Sequence, residues 1–293
     1  MSVPQRIAIT GASGLIGTAL VGHLKSEGHT VQRLVRRATV APDEVQWDPQ
    51  TGFVDLEPLR GVDAIIHLAG VGVGDKRWNK KYKSEILNSR LLGTTAIANA
   101  VAELKPQVFI SASAIGWYGE SGNRAVVETD RAGDDFLAAV CREWEAAADL
   151  AGEIRTVKIR TGLVLDPTGG ALGKMLPLFR LGLGGKLGSG KQWWSWITLH
   201  DQIRAMLFLM NSKIEGAVNL ASPNPVTNQE FTAALALAMK RPAIFPAPAF
   251  ALRAVLGGFS TEVLGSKKVI PQVLMDNKFE FAYPHVSAAL TAL

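Results

Sequence analysis

The chain has 293 residues, 47% hydrophobic and 19% charged, with 31 Lys and Arg against 26 Asp and Glu for a net charge of +5. That composition excludes a disordered chain, the length suffices for one or two domains with a buried core, and the modest positive charge suits small anionic ligands but falls short of a nucleic-acid-binding surface. A lone Cys141 closes no disulfide within the chain, and no run nears the roughly 18 apolar residues of a membrane span. The expectation is a cytoplasmic protein with no membrane or nucleic-acid partner and no metal, either monomer or homodimer.

Ile7 to Thr10 reads as a short apolar strand, ended by Gly11-Ala12-Ser13-Gly14. Leu15, Ile16, Ala19, Leu20 and Leu24 then recur at helical spacing, and Val31 to Val35 is a second strand. Strand, glycine turn, helix and strand make a βαβ unit, whose crossover is right-handed in nearly all proteins. Within it, Gly11 suits a tight turn, Gly14 leaves room for a diphosphate at the positive helix end, and Gly17 lets helix and strand lie close. Thr10, Gly11, Ser13, Gly14, Leu15, Ile16 and Gly17 are therefore the expected dinucleotide cradle. At the end of the second strand, where a carboxylate would favour NAD, the residues are Arg33, Arg36 and Arg37, with no acid until Asp43. Planar guanidinium forks suit a phosphate dianion, so the expected cofactor is NADP(H), with Arg33 and Arg36 the main contacts.

Ala64 to Leu68 is the next strand and delivers Leu68, Ala69 and Gly70 to the edge where a doubly wound sheet binds its ligand. His67, beside them, reads as a packed histidine rather than a catalyst. Trp78 to Lys83 is a polar, basic lead-in to a long helix through Leu91 to Ala102, and Val108 to Ser111 is a fourth strand with Ser111 and Ser113 at its carboxyl end. After Trp117-Tyr118-Gly119 comes a helix from about Asp134 to Leu150, then a strand from Thr156 to Arg160 that ends near Gly162. Ser111, Arg160 and Gly162 join the expected cofactor lining. Gly169 to Gly190 reads as a mobile loop and helix over the cleft. Trp193, Trp194 and Trp196 form an aromatic patch that either binds a ring or packs between domains, with Trp196 kept as a substrate candidate. Asp201 to Met210 is a helix, Val218 to Leu220 a strand, Asn228 the cap of a further helix, and Pro242 to Pro248 a rigid connector. The expected architecture is α/β: a Rossmann-type doubly wound parallel sheet over residues 1–165, with about 196–222 returning to it. Residues 166–293 form a smaller mixed α/β substrate-side and C-terminal helical module.

Thr10-Gly11-Ala12-Ser13-Gly14-Leu15-Ile16-Gly17, His67-Leu68-Ala69-Gly70, Ser111-Ala112-Ser113 with Trp117-Tyr118-Gly119, and Ile159-Arg160-Thr161-Gly162-Leu163-Val164-Leu165 resemble the extended short-chain dehydrogenase/reductases, which include sugar-nucleotide epimerases and dehydratases. The resemblance is closer to an atypical "epimerase family" subgroup, through Leu87-Asn88-Ser89-Arg90, Asp135-Phe136-Leu137, Trp144-Glu145-Ala146 and Trp196-Ile197, and it spans nearly the whole chain. It implies a Ser, a Tyr and a Lys four residues after the Tyr as catalytic machinery, in which a nearby ammonium favours the phenolate. This chain departs from that. Four residues after Tyr82, Tyr118 and Tyr283 stand Ile86, Gly122 and Ser287. Alignment on Glu145 puts Leu137 and Cys141 at the Tyr and Lys positions, and Arg90 replaces a frequent active-site Asn, which makes it a substrate candidate. Ser113 keeps the family's Ser position; Tyr118 either acts as acid or base or packs against the bound ligand. Two readings stand: an NADP-dependent oxidoreductase or epimerase-like enzyme on a small carbonyl- or sugar-like substrate, and a non-catalytic NADP-binding regulator.

Overall fold

In a computed structural model that describes residues 3–292, Ile7, Ala8 and Ile9 are all fully buried, Ile7 and Ile9 in one apolar cluster and Ala8 in another. Successive side chains of a strand point to opposite faces, so this first strand is covered on both sides. The strands are β1 Arg6–Thr10, β2 Thr30–Val35, β3 Glu44–Asp48, β4 Phe53–Val54, β5 Ala64–His67, β6 Val108–Ala114, β7 Thr156–Thr161 and β8 Gly216–Leu220. They form one sheet in the order β8-β7-β6-β5-β1-β2-β3-β4, parallel throughout except for the antiparallel pairing of β4 on β3. The helices are α1 Leu15–Ser26, α2 Lys80–Leu104, α3 Phe136–Ala148, α4 Gly170–Arg180, α5 Leu199–Met210 and α6 Asn228–Met239. Leu20 and Leu24 of α1 and Met206 and Leu209 of α5 cover the face carrying Ile7 and Ile9; Ile97 and Val101 of α2 and Ala148 of α3 cover the other. This is the Rossmann-type α/β fold expected. The strand order reverses between β1 and β5, and the crevice outside their carboxyl ends is where such sheets bind ligands.

Caps define the helix starts. Asn79 accepts the Tyr82 amide at 2.8 Å, and Asp135 accepts that of Ala138 at 2.8 Å. At α6 the sequence expectation needs correction. The cap is Thr227, in a reciprocal box with Glu230, while Asn228 is the first helical residue, fully buried, and accepts the Leu187 amide at 2.7 Å. The box explains the choice: Thr227 has a Glu three residues on, whereas Asn228 has Phe231. Gly169 to Gly190, read as a loop and helix, contains α4.

Leu172 and Leu176 of α4, Phe231 and Leu235 of α6, Trp196 and the helix Val286–Ala292 build a separate apolar cluster beyond the sheet. Two buried polar groups fasten the C-terminal stretch to it. The Asp201 carboxylate accepts the amides of Ala282 and Tyr283, both at 2.9 Å. Ser195 Oγ donates to the Lys267 carbonyl and accepts the Val269 amide, each at 2.8 Å. Among the described residues no helix is long and apolar enough to cross a membrane.

Candidate functional site

The glycine turn sits where the strand order reverses. Gly11 has φ +68°, and a Cβ there would lie 2.8 Å from the Leu68 carbonyl carbon and 2.9 Å from the Ala69 nitrogen. At Gly17 a Cβ would lie 2.1 Å from the Gly11 oxygen. Both glycines are thus demanded by the chain's own packing. Gly14 differs: it is exposed, and a Cβ there would touch only the Gly11 oxygen, at 3.4 Å. Behind it α1 begins with no side-chain cap and no acid in its first turn. Unsatisfied amides and the positive end of the helix dipole therefore face the crevice, an arrangement that fits a diphosphate.

Thr10 and His67 clamp the two strands that flank this crevice. Thr10 Oγ1 accepts the amides of Leu68 (3.1 Å) and Ala69 (3.2 Å), and lies 2.7 Å from His67 Nδ1. With two amide hydrogens directed at it, the hydroxyl donates to Nδ1, which leaves the ring proton on Nε2, a buried atom with no partner. His67 is fully buried, edge-on to Trp47, and burial pushes its pKa down to about 3, so the ring is neutral. An unfolded chain protonates this ring near its ordinary value of about 6.5, so from there down to pH 3 the unfolded state binds more protons. Stability is expected to fall as pH drops through that window, by about 2 kcal/mol at pH 5 relative to pH 7. His67→Asn, which keeps an acceptor for Thr10, should flatten that limb; urea titrations of both proteins at the two pH values check it, and identical losses would refute it.

The three arginines after β2 divide. The register that sets Arg33 opposite Glu44 folds two acids back onto them. Arg33 grips Asp43 through Nε (3.0 Å) and Nη2 (2.7 Å), and Arg37 grips Glu44 at 2.8 and 2.6 Å. Arg33 and Lys25 hold the Asp43 carboxyl well below the usual range, and Arg37 with the Val40 amide holds Glu44 at about 2. Arg36 is exposed and, among the described residues, pairs with no carboxylate.

Ser113, Arg160 and Asn219 lie in one row across β6, β7 and β8, because the registers pair Ser113 with Arg160 and Arg160 with Asn219. Glu145 of α3 comes down onto this row. Its carboxylate accepts Arg160 Nε (2.8 Å) and Nη2 (2.9 Å) side-on, and the Ser113 hydroxyl at 2.6 Å. Tyr118 donates to Asn219 Oδ1 at 2.7 Å and accepts from Arg160 Nη1 at 3.1 Å, while the guanidinium also lies 3.9 Å from the Trp117 ring centre. Asn219 continues the chain of bonds to the Ile270 carbonyl (2.9 Å) and, through its amide, to Glu128 (3.0 Å). Ser113, Tyr118, Glu145, Arg160 and Asn219 are each at most 5% exposed as residues. Burial, only partly opposed by Arg160, pushes the Tyr118 phenol up to about 12, so it is neutral at physiological pH.

Several expected contacts thus have other partners. Arg160, expected beside the cofactor, is spent on Glu145 and Tyr118, because a cation this deep needs a counter-charge. Ser111 is 1% exposed. Gly162 donates its amide to the Leu220 carbonyl, and a Cβ there would lie 2.8 Å from the Ser195 oxygen, so its smallness serves strand packing. Trp196, the substrate candidate, is fully buried with its indole N–H on the Asn224 carbonyl at 3.2 Å; it is a core residue. Leu137 and Cys141 are buried, and desolvation pushes the thiol up to about 12. Arg90, by contrast, borders the crevice beside Gly70, with its guanidinium 4.7 Å from the Trp144 ring centre. Glu145, Asn219 and Glu128 were missed by sequence reasoning. An Arg at the carboxyl end of a strand was the available signal, since such a cation, once buried, demands an acid nearby.

Comparison with known proteins identifies the family. The family described as NAD dependent epimerase/dehydratase matches residues 7–221, and a domain of unknown function, DUF1731, matches 247–293. An epimerase family protein of Mycobacterium leprae is 42% identical over 290 residues, covering 97% of this chain and 94% of the relative. The crystal structure of human epimerase family protein SDR39U1 with NADPH superposes with a TM-score of 0.91 at 33% identity, covering 98% of each chain. That of a nucleoside-diphosphate sugar epimerase from Corynebacterium glutamicum gives a TM-score of 0.80 at 35% identity, covering 98% of this chain and 57% of the other.

Proposed function

The chain belongs to the NAD dependent epimerase/dehydratase family, with an NAD(P)-binding fold, and from that premise we propose that it is an NADPH-dependent oxidoreductase acting on a small carbonyl- or sugar-like substrate. The observation that carries this reading is the uncapped, acid-free start of α1 facing the crevice across Gly14. Gly11, Ser13, Gly14, Leu15 and Ile16 would hold the diphosphate, with Leu68, Ala69 and Gly70 along the opposite wall; Thr10, expected in the cradle, is fully buried and instead fastens that wall through the Leu68 and Ala69 amides. Arg36 would meet the adenosine 2′-phosphate, with Arg33 and Arg37 as its neighbours. The nicotinamide, when bound, supplies the hydride. The protein's part is to orient it against the substrate; with its own hydrogen engaged by Glu145, Ser113 would accept from a hydroxyl of the substrate and not donate to a carbonyl. In this reading residues 1–165 with 196–222 bind the nucleotide, 166–293 form the substrate side, and the protein works in the cytoplasm.

Arg36→Ser is expected to weaken NADPH binding roughly tenfold to a hundredfold while changing NADH binding less than about twofold. Arg33→Ser, which first frees Asp43, should have the smaller selective effect. Calorimetric titration with both coenzymes measures this, and equal losses for NADPH and NADH would contradict the assignment. One observation favours a second reading, a non-catalytic NADP-binding regulator: neither Tyr118 nor His67 titrates anywhere near neutrality. NADPH that binds yet is oxidised by no member of a broad aldehyde, ketone and nucleotide-sugar panel would select that reading.

A further inference from the structure

Arg90 holds a positive charge that the protein does not use up. Its Nη1 donates to the Val71 carbonyl at 3.0 Å and to the Ile86 carbonyl at 3.1 Å, which engages both hydrogens of that nitrogen. Among the described residues Nε and Nη2 have no hydrogen-bond partner, no carboxylate pairs with the guanidinium, and neither nitrogen is sealed off from solvent. Burial alone lowers the Arg90 pKa; near it stand Cys141, whose thiol is pushed up, and Tyr82, whose hydroxyl donates to the Gly72 carbonyl. The guanidinium carbon lies 4.7 Å from the centre of the Trp144 ring.

Two other arginines, half-buried Arg155 and buried Arg160, show how this fold satisfies a structural guanidinium. Arg155 spreads three hydrogen bonds from both terminal nitrogens over the carbonyls of Leu209, Met210 and Ile214. Arg160 has Glu145. Arg90 instead leaves open its Nε–Nη2 edge, the edge Arg160 turns to a carboxylate. It does so beside Gly70, at the carboxyl end of β5 and between α2 and α3.

We propose that Arg90 is the docking point for an anionic group of the substrate, a carboxylate or a phosphate ester, received as a pair of oxygens by Nε and Nη2 against the Trp144 ring. This rests on the reading of the crevice as an NADPH and substrate site and adds the substrate's chemical class. A planar fork fixes two oxygens at once, so it orients the substrate as well as attracting it. Anchored there, the uncharged remainder of the molecule is free to extend along the crevice.

The test titrates two probes, malonate and inorganic phosphate, into the NADPH-saturated protein in chloride-free buffer, so that the α1 amino end and Arg36 are already occupied. At least one probe is expected to bind, and the stronger of the two distinguishes a carboxylate from a phosphate ligand. Arg90→Met should weaken that binding tenfold or more while NADPH affinity stays within about twofold. Arg90→Lys, which keeps the charge and loses the fork, should fall between them and guards against a misfolded Arg90→Met. No binding of either probe, equal binding by wild type and Arg90→Met, or an equal loss of NADPH affinity would overturn the proposal. Absence of NADPH binding itself would instead sink the cofactor reading, and the same titrations without coenzyme would then still report on Arg90 alone.

Discussion

Gly17→Ala is expected to abolish measurable NADPH binding, with a loss of a hundredfold or more, and to lower stability by about 3 kcal/mol. A methyl at this position meets the Gly11 oxygen at 2.1 Å and the Ala12 Cα at 2.8 Å, both backbone atoms of the turn that must receive the diphosphate. The turn cannot retreat, because Gly11 already abuts Leu68 and Ala69, so the clash passes straight into the crevice. Gly22→Ala in the same helix is the control. A Cβ there meets nothing within 4 Å, and exchanging a helical glycine for alanine should stabilise by about 0.5–1 kcal/mol. Calorimetric titration with NADPH and thermal melts of both variants check the pair; wild-type affinity in Gly17→Ala would remove the glycine turn from the cofactor site.

Arg160→Met is expected to cost about 3–5 kcal/mol, because it strands the Glu145 carboxylate with Ser113 as its one remaining donor. Both members of the pair are at most 5% exposed, so water neither screens the attraction nor replaces the lost partner. Pairing Arg160→Met with Glu145→Gln should restore much of the loss, since the amide still accepts from Ser113 and no charge is left buried. Urea unfolding of the two single variants and the double variant measures the coupling. Strictly additive losses, or a single-variant cost below about 1 kcal/mol, would show the pair to be energetically incidental.

The βαβ unit, its glycine turn and the Leu68–Gly70 edge were legible from the sequence because each rests on short-range facts: alternation over four or five residues, helical spacing, and glycines at fixed offsets. What was hidden depends on register. Asp43 and Glu44 stand 10 and 7 residues from Arg33 and Arg37 in the chain, yet β3 lies beside β2 and returns them to the same edge. A strand residue near a carboxyl end is close to the crevice, so the sequence points Arg160 at the cofactor. Which face it occupies, and that Glu145 waits there, is set by how α3 lies across three strands. Trp196 shows the same limit, since an aromatic that binds a ring and one that fills a core look alike in sequence. The missing Tyr-x-x-x-Lys pair was fully legible, and the structure adds that buried Leu137 and Cys141 occupy those positions.

The row formed by Ser113, Arg160 and Asn219 has a consequence for how the chain assembles. Each of three neighbouring strands contributes one rung, so the geometry of the polar floor and the alignment of the strands are the same quantity. Sliding any one strand by a single residue would turn its rung to the opposite face and bring Ala112, Ile159 or Val218 in its place. A misaligned chain would then confront Glu145 with aliphatic carbon, a penalty no hydrophobic repacking could hide. The floor therefore ties the alignment of these three strands to the pairing of Glu145.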